Sequence, residues 1–298
     1  MLLSEAIKEF LIRLKLKGKS EATRKNTGFH LEKFRVWLLD QYNIEDSRFI
    51  RKSQLTAYQK FLGLDNGFSP SYINQKVIAV NSLMRFLRKE GQVVQDVEEV
   101  LECMKEPKRL PQVISMEEYD QIRKAEPLKD KITMRNYTIM TLLMSTGIRV
   151  GALSRIKVND INMDEMTIKV IGKGNKERLV IFGEQCKEVL RVYLQSIRPT
   201  FRGAKSCEAL FISRNRKPMS IRTFQDLIRQ TAQKAGIEQR VTPHTFRRTF
   251  CTELIKADGN LYHVAQMMGH ESLEHLKCYA RLNVKPLKDT HKRCHPRG

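Results

Sequence analysis

Two prolines four positions apart, Pro107 and Pro111 in the stretch KEPKRLPQVIS (residues 105–115), most constrain how this chain can fold. Proline fixes φ and withholds a backbone N–H, so a segment holding two of them cannot carry a helix through and reads as an extended connection. The hydrophobic pattern differs on its two sides, and 298 residues are enough for two domains of ordinary size, each with its own core. The expected organisation is a helical domain over residues 1–105, a basic linker over 106–115, and a second domain over 116–298 that ends in a tail.

The first half reads as helices throughout. Leu31, Phe34 and Leu38 recur at helical spacing with Trp37 beside them, and Ser20 suits the N-cap of the helix that carries Arg24 and Lys25. After Ser71, Ile73, Val77, Val80, Met84 and Leu87 form one apolar stripe. The other side of that helix carries Asn74, Asn81, Arg85 and Arg88. Amide and guanidinium groups on one exposed helical face can reach base edges and phosphates in a major groove. A solvated face is the plainer reading of any one helix alone. The opening MLLSEAIKEFLIRLK has acidic residues where a signal peptide carries basic ones, and no long apolar block, so it reads as a first amphipathic helix. No run of 18 apolar residues is present to span a membrane.

The second half mixes types. A helix is expected over 131–145, ending near Gly147. Strand-like runs over 166–171 and 178–182 flank Gly172-Lys173-Gly174-Asn175-Lys176, a bend that predicts a β-hairpin. Helices are expected over 187–196, 221–235, 243–256, 261–268 and 272–282. The fold class is therefore mainly α with a small β-sheet.

Charge narrows the partner. Lys and Arg number 54 against 33 acidic residues, a net charge of +21. Residues 1–110 carry 20 basic and 14 acidic groups, and residues 111–298 carry 34 and 19, so both halves are basic. That distribution suits a polyanion held between two lobes. With 41% hydrophobic and 29% charged residues, the composition is that of a soluble globular protein. The six cysteines (103, 186, 207, 251, 278, 294) form no CxxC pair, which speaks for reduced thiols rather than a zinc site or a disulfide framework. GKGNKER lacks the GxxxxGK[ST] spacing of a P-loop, and no DxD or HExxH element supplies metal ligands, so no cofactor and no metal are expected.

Five short features remain, each weak alone. Arg149 follows a helix-ending glycine in TGIR, and Lys173 sits at the hairpin tip with Lys176 and Arg178 close behind. His244 and Arg247 lie three apart at a helix start, where a phosphate is already favoured. His270 follows Gly269, and Tyr279 stands among Leu273, Leu276 and Leu282, where a tyrosine by itself reads as core. Taken together, these groups suffice for chemistry on a phosphodiester. Guanidiniums clamp the non-bridging oxygens, and histidine adds a donor or moves a proton. Lysine can protonate the departing oxygen, and tyrosine can attack phosphorus and hold it covalently.

TGIR, GKGNKERLV, HTFRRTFCTEL and MMGHESLEHLKCYARL occur in this order, with 24 residues from Arg149 to Lys173, 71 from Lys173 to His244, 23 from Arg247 to His270 and 9 from His270 to Tyr279. These segments resemble the first arginine box, the lysine hairpin, the HxLRH box and the LGH…Y box of the tyrosine recombinases, or lambda-type integrase family, and most of all its Xer branch. The likeness covers nearly the whole chain. It implies an all-helical core-binding (SAM-like) domain and an α+β catalytic domain, closing as a C-shaped clamp on DNA. It implies that Arg149, Arg247 and His270 bind the scissile phosphate, and that Lys173 is the general acid on the leaving 5′-oxygen. By the same resemblance His244 assists proton transfer and Tyr279 forms a 3′-phosphotyrosine. Arg24, Lys25, Asn74, Asn81, Arg85, Arg88, Lys176 and Arg178 are the expected DNA contacts. The implied partners are double-stranded DNA with inverted-repeat core sites and a homotetramer on synapsed DNA, which a second recombinase can share. Strands would be exchanged in pairs through a Holliday junction, in the cytoplasm at the nucleoid. The basic tail, 290–298, would dock in cis or in trans.

There are three departures from the family pattern. Ala152 stands where a glutamate is usual, Arg248 replaces a second histidine, and His275, Leu276 and Lys277 occupy a place where threonines are favoured. The departures favour an integrase, excisionase or resolvase of a mobile element over a chromosome- or plasmid-dimer resolvase of the Xer type. A type IB topoisomerase and a catalytically silent DNA-binding regulator are the more distant alternatives.

Overall fold

The computed structural model describes the chain except for residues 65–66, 94–100, 108–110, 126–127, 173–176, 258 and 270–298. The chain divides into two compact units, Met1–Lys108 and Arg109–Gly298.

Among its described residues the first unit has the α-helices α1 (Leu3–Leu16), α2 (Glu21–Tyr42), α3 (Lys52–Leu64) and α4 (Pro70–Lys89), with a short 3-10 turn at Ser47–Phe49. Ser20 caps α2, its hydroxyl accepting the Thr23 N–H at 3.2 Å, and Asn43 ends that helix in the left-handed region. The fourth helix starts earlier than its apolar pattern predicts. Ser69 is the cap and Pro70 occupies the first turn, where its missing N–H costs nothing. Leu31, Phe34 and Leu38 from α2 meet Ile73, Val77, Val80, Met84 and Leu87 from α4, all fully buried or nearly so, in one core. Phe34 and Trp37 pack on Tyr58 of α3 with ring centroids 4.8 and 4.9 Å away.

One expectation fails in this unit. Asn74 and Asn81 do not share an exposed face with Arg85 and Arg88. Asn74 is only 8% exposed. Its amide donates to the Met104 carbonyl and to Glu106, both at 2.9 Å, and its carbonyl accepts the Met104 N–H at 2.7 Å. Asn81 donates to the Leu101 carbonyl at 2.8 Å. The two amides pair with extended backbone that has no ladder of its own, and an amide supplies both donor and acceptor for that. Arg85 and Arg88 are exposed, as is Lys25, which pairs with Glu21 at 2.7 Å, while Arg24 is half-buried.

The second unit is built around α6 (Lys131–Thr146), whose Ile139, Met140, Leu142 and Leu143 are 0% exposed. α5 (Met116–Lys124) precedes it, and the four-residue α7 (Val150–Leu153) follows. A three-stranded antiparallel sheet comes next, in the order β1 (Ile161–Asn162), β2 (Thr167–Ile171), β3 (Glu177–Ile181). Pairing of Ile171 with Glu177 closes the expected hairpin around 172–176. β1 was not foreseen, because two residues are too few to show alternation. α8 (Glu184–Val192) continues as a π turn through Ile197. α9 (Ile221–Lys234), α10 (Pro243–Lys256) and α11 (Leu261–Met268) complete the described fold. α6 packs against both α8 and α10, which sets the start of α10 beside the end of α6. The helix expected over 272–282 lies outside the described residues.

Candidate active site

α6 ends at Gly147, whose φ of +56° is open to glycine at little cost, and Arg149 stands two residues on at the cap of α7. Close approach adds a second reason for glycine. A Cβ at this position would lie 2.3 Å from the Phe250 ring on α10. α10 begins with Thr242 as its cap, the hydroxyl accepting the Thr245 N–H at 3.2 Å, and with Pro243 in the first position. One turn of helix then carries His244 and Arg247 toward the same end of α6.

Arg247 is the keystone. It is 2% exposed, one Nη donates to the Gly147 carbonyl at 2.5 Å, and the other donates to the Met268 carbonyl. Those bonds join the ends of α6 and α11 across a fully buried cation. Arg149 is exposed and held more loosely, with both Nη atoms 3.4 Å from the Gly269 carbonyl. His244 has its pKa held below the ordinary histidine value, first by desolvation and then by the charges of Arg248, Arg247 and Arg149. At neutral pH it is therefore an uncharged imidazole that can accept a proton.

Arg149, His244 and Arg247 line one cavity of about 500 Å³ together with Ala152, Arg155 and Arg178. No carboxylate is among its described lining residues, and Ala152 forms part of the wall where a glutamate would have brought a negative charge. Gly172, the residue before Lys173, also lines the cavity, and Gly269, the residue before His270, faces Arg149. Lys173, Lys176, His270 and Tyr279 themselves lie outside the described residues. Among the described residues, no group of three His, Cys, Asp or Glu side chains is placed to hold a metal ion.

Two arginines differ from expectation. Arg178, expected at the DNA surface, is half-buried and turned inward, where its Nη1 donates to the Met267 carbonyl at 2.7 Å. Burial, and then the charge of Arg149, lower its pKa. Arg155 carries no motif that marks it in the sequence. Its Nε donates to the Gly151 carbonyl at 3.0 Å and its Nη2 to the Ile171 carbonyl at 3.1 Å, tying the Arg149 segment to the strand that leads to Lys173.

A cavity ringed by guanidiniums and a neutral histidine, at the start of one helix and the ends of two others, suits the binding of a phosphate. Comparison with known proteins makes the class specific. Residues 112–285 match the model of the phage integrase family. Over 293 residues the chain is 30% identical to the tyrosine recombinase XerD of Staphylococcus saprophyticus, covering 98% of this chain and 99% of that protein. The crystal structure of XerA recombinase is 28% identical and superposes with a TM-score of 0.55, over 99% of this chain and 100% of that one. A lambda integrase fragment, crystallised as a dimer bound to a core site, shares the fold at 17% identity with a TM-score of 0.74, over 94% of this chain and 95% of that one. The chain belongs to the phage integrase family, and it is a tyrosine site-specific recombinase, an enzyme that cleaves and rejoins DNA.

Proposed function

We propose that this recombinase works through a 3′-phosphotyrosyl intermediate, with Arg149, Lys173, His244, Arg247, His270 and Tyr279 as its working residues. The observation that carries the reading is the convergence of Arg149, His244 and Arg247 on one cavity, bordered by the residues that precede Lys173 and His270. Arg149 and Arg247 neutralise the non-bridging oxygens, where charge gathers as the phosphorus is attacked. The Tyr279 oxygen forms the new bond to phosphorus and the 5′-oxygen leaves with its electron pair, protonated by Lys173. Neutral His244 takes up the phenolic proton. Reversal of these steps by the 5′-hydroxyl of a second strand reseals the backbone without ATP, because the phosphotyrosyl link keeps the bond energy.

The remaining parts of the proposal follow the family. Residues 1–105 and 116–298, joined by 106–115, act on double-stranded DNA with inverted-repeat core sites. Four subunits synapse two sites and pass through a Holliday junction, in the cytoplasm at the nucleoid. Among the described residues no helix is long and apolar enough to cross a membrane. The departures at Ala152 and Arg248 favour service to a mobile element. Full-length similarity to XerD favours dimer resolution as a second reading. Sequencing the junctions formed when the protein acts on its own flanking DNA separates them: excised circles of an element in one case, resolved replicon dimers in the other.

The chemistry is tested with nicked duplexes of randomised core sequence. Wild-type protein is expected to form SDS-resistant DNA adducts from this library, and Tyr279→Phe to form none while still shifting the selected duplex in a gel. Adducts formed by Tyr279→Phe would refute the assignment.

A further inference from the structure

Arg178 stands on the core-facing side of its strand, at the wall of the cavity and not on the exposed hairpin face. In β3 it alternates with exposed Glu177 and Leu179, and it pairs with Val170, which is buried on the core side of β2. A cation on the core face of a sheet needs a strong reason, because its desolvation is costly unless it is paired. The partner here is the end of α11. The last carbonyls of a helix have no acceptor role within it and carry the negative end of the helix dipole. Three successive carbonyls at this end each meet a different guanidinium: Met267 meets Arg178 at 2.7 Å, Met268 meets Arg247, and Gly269 meets Arg149 at 3.4 Å. The fit at Gly269 is close enough to exclude any side chain. A Cβ there would lie 2.7 Å from the Arg178 Nε, on a backbone already at a φ of +59°.

The three bonds are unequal, and the inequality matters. Arg149 reaches Gly269 only at the limit of a hydrogen bond, so it can turn to a phosphate at small loss. Arg247 and Arg178 keep the helix end in place when it does. Arg178 also belongs to the strand that leaves the Lys173 loop, five residues after that lysine. One side chain thus links the chain entering His270 to the chain leaving Lys173.

We propose that Arg178 is a positioning residue for strand cleavage: it locks the C-terminal turn of α11 onto β3, so that His270 is delivered to the phosphate held by Arg149 and Arg247. The proposal rests on the recombinase reading above.

The test measures single-turnover cleavage of the nicked duplex selected by the wild-type protein. Failure of the wild-type protein to form adducts would count against the recombinase reading itself; the outcomes below concern Arg178 alone. Arg178→Met is expected to slow the rate constant about 100-fold, the scale of a misplacement near 1 Å at a reacting centre. Arg178→Lys, which keeps one donor, is expected to slow it about 10-fold. Both are expected to bind the duplex within a few-fold of wild type, because the Arg178 guanidinium is engaged by the Met267 carbonyl and one cavity residue adds little to the many phosphate contacts of a duplex. Loss of folded protein lowers the amplitude and leaves the rate constant alone, so the two effects separate. A duplex with a 5′-bridging sulfur supplies a leaving group that needs no protonation. It restores Lys173→Ala but not Arg178→Lys, since Arg178 acts on the phosphate side. Gly269→Ala provides the second route: it slows cleavage in the wild-type background, and slows it less in Arg178→Ala, which removes the Cδ, Nε and Cζ atoms that a Cβ at Gly269 would meet. Wild-type rates in Arg178→Met and Arg178→Lys, loss of duplex binding, rescue of Arg178→Lys by sulfur, or full additivity of Arg178→Ala with Gly269→Ala would each overturn the assignment.

Discussion

Gly147→Ala is the most demanding perturbation of this site that changes no charge. Gly147 closes α6 with a φ of +56°, and a Cβ built there would lie 2.3 Å from Phe250 Cδ1 and 2.9 Å from Cε1. Two penalties follow. Holding a residue with a Cβ in the left-handed region costs about 1–2 kcal/mol. Displacing a packed ring costs about 1–3 kcal/mol more, the range for inserting a methyl into a filled core. Phe250 is half-buried and packs against the cluster of Cys251, Ile255, Val264, Ala265 and Met268, which includes the last residue of α11, so moving the ring disturbs that packing. The expected loss is therefore about 2–5 kcal/mol in the unfolding free energy of the second unit, read from urea titrations. Phe250→Leu shortens the clashing side chain without emptying the site. In that background Gly147→Ala is expected to cost only the backbone part, about 1–2 kcal/mol, so the double-mutant cycle returns a coupling of at least about 1 kcal/mol. Cleavage falls as well, since the Gly147 carbonyl is one of the two that orient Arg247. A loss below about 0.5 kcal/mol, the usual effect of a surface change, would refute the close-approach argument, and an additive cycle would refute the role given to Phe250.

Asn74→Ala leaves the Met104 backbone N–H and carbonyl without their partner, and is expected to destabilise the first unit by about 1–3 kcal/mol while changing DNA affinity less than twofold; a tenfold affinity loss at unchanged stability would return Asn74 to base reading. His30 is 2% exposed, and burial lowers its pKa, opposed by the nearby Gln75 side chain and aided by the charge of Lys76. Its folded-state pKa lies below the unfolded one, so the unfolded chain binds more protons and stability falls as pH drops from about 6.5. His30→Phe is expected to flatten that fall by up to about 1.4 kcal/mol per pH unit, and an unchanged pH profile of unfolding would show that the imidazole is not the sensitive group. DNA affinity is expected to fall with salt at a log–log slope steeper than about −5, as for six or more neutralised phosphates; a slope shallower than about −2 in a gel-shift series would contradict a backbone-tracking interface.

What was legible in the sequence was local. Helices α10 and α11 occupy the residues that their caps and apolar spacing predict, because Thr242-Pro243 and Asn260 satisfy the first N–H groups without help from elsewhere. Arg149, His244 and Arg247 were legible because each is pinned to a helix terminus that the sequence punctuates. Asn74 and Asn81 were misread for the opposite reason. Helical spacing places them away from the apolar stripe, but it cannot show that residues 101–106 return to cover them. Arg178 was misread in the same way: in a basic hairpin it looked like a surface charge, and its actual acceptor lies 89 residues along the chain. Arg155 left no trace at all, since a bond to the carbonyl of Ile171 depends on where β2 passes.

Two glycines shape both helix ends at the proposed site. Gly147 and Gly269 each end a helix in the left-handed region, at φ of +56° and +59°, and each has a neighbour too close for a Cβ. The close neighbours are Phe250, three residues after Arg247 on α10, and Arg178. Both helix ends aim carbonyls at Arg247, through Gly147 and Met268. A buried guanidinium pays for its desolvation only if its acceptors are fixed in advance, and left-handed glycines fix them while turning the chain toward its next residues, Arg149 in one case and His270 in the other. The glycine is thus needed twice at each end, by the turn and by the packing. This double requirement also predicts where tolerance lies. Gly151, on the same cavity wall but with only an ordinary 3.8 Å neighbour and no left-handed backbone, should accept alanine with less than about 0.5 kcal/mol of lost stability. Equal sensitivity at Gly147 and Gly151 would mean that the packing of α7, and not the helix-end geometry, governs this wall.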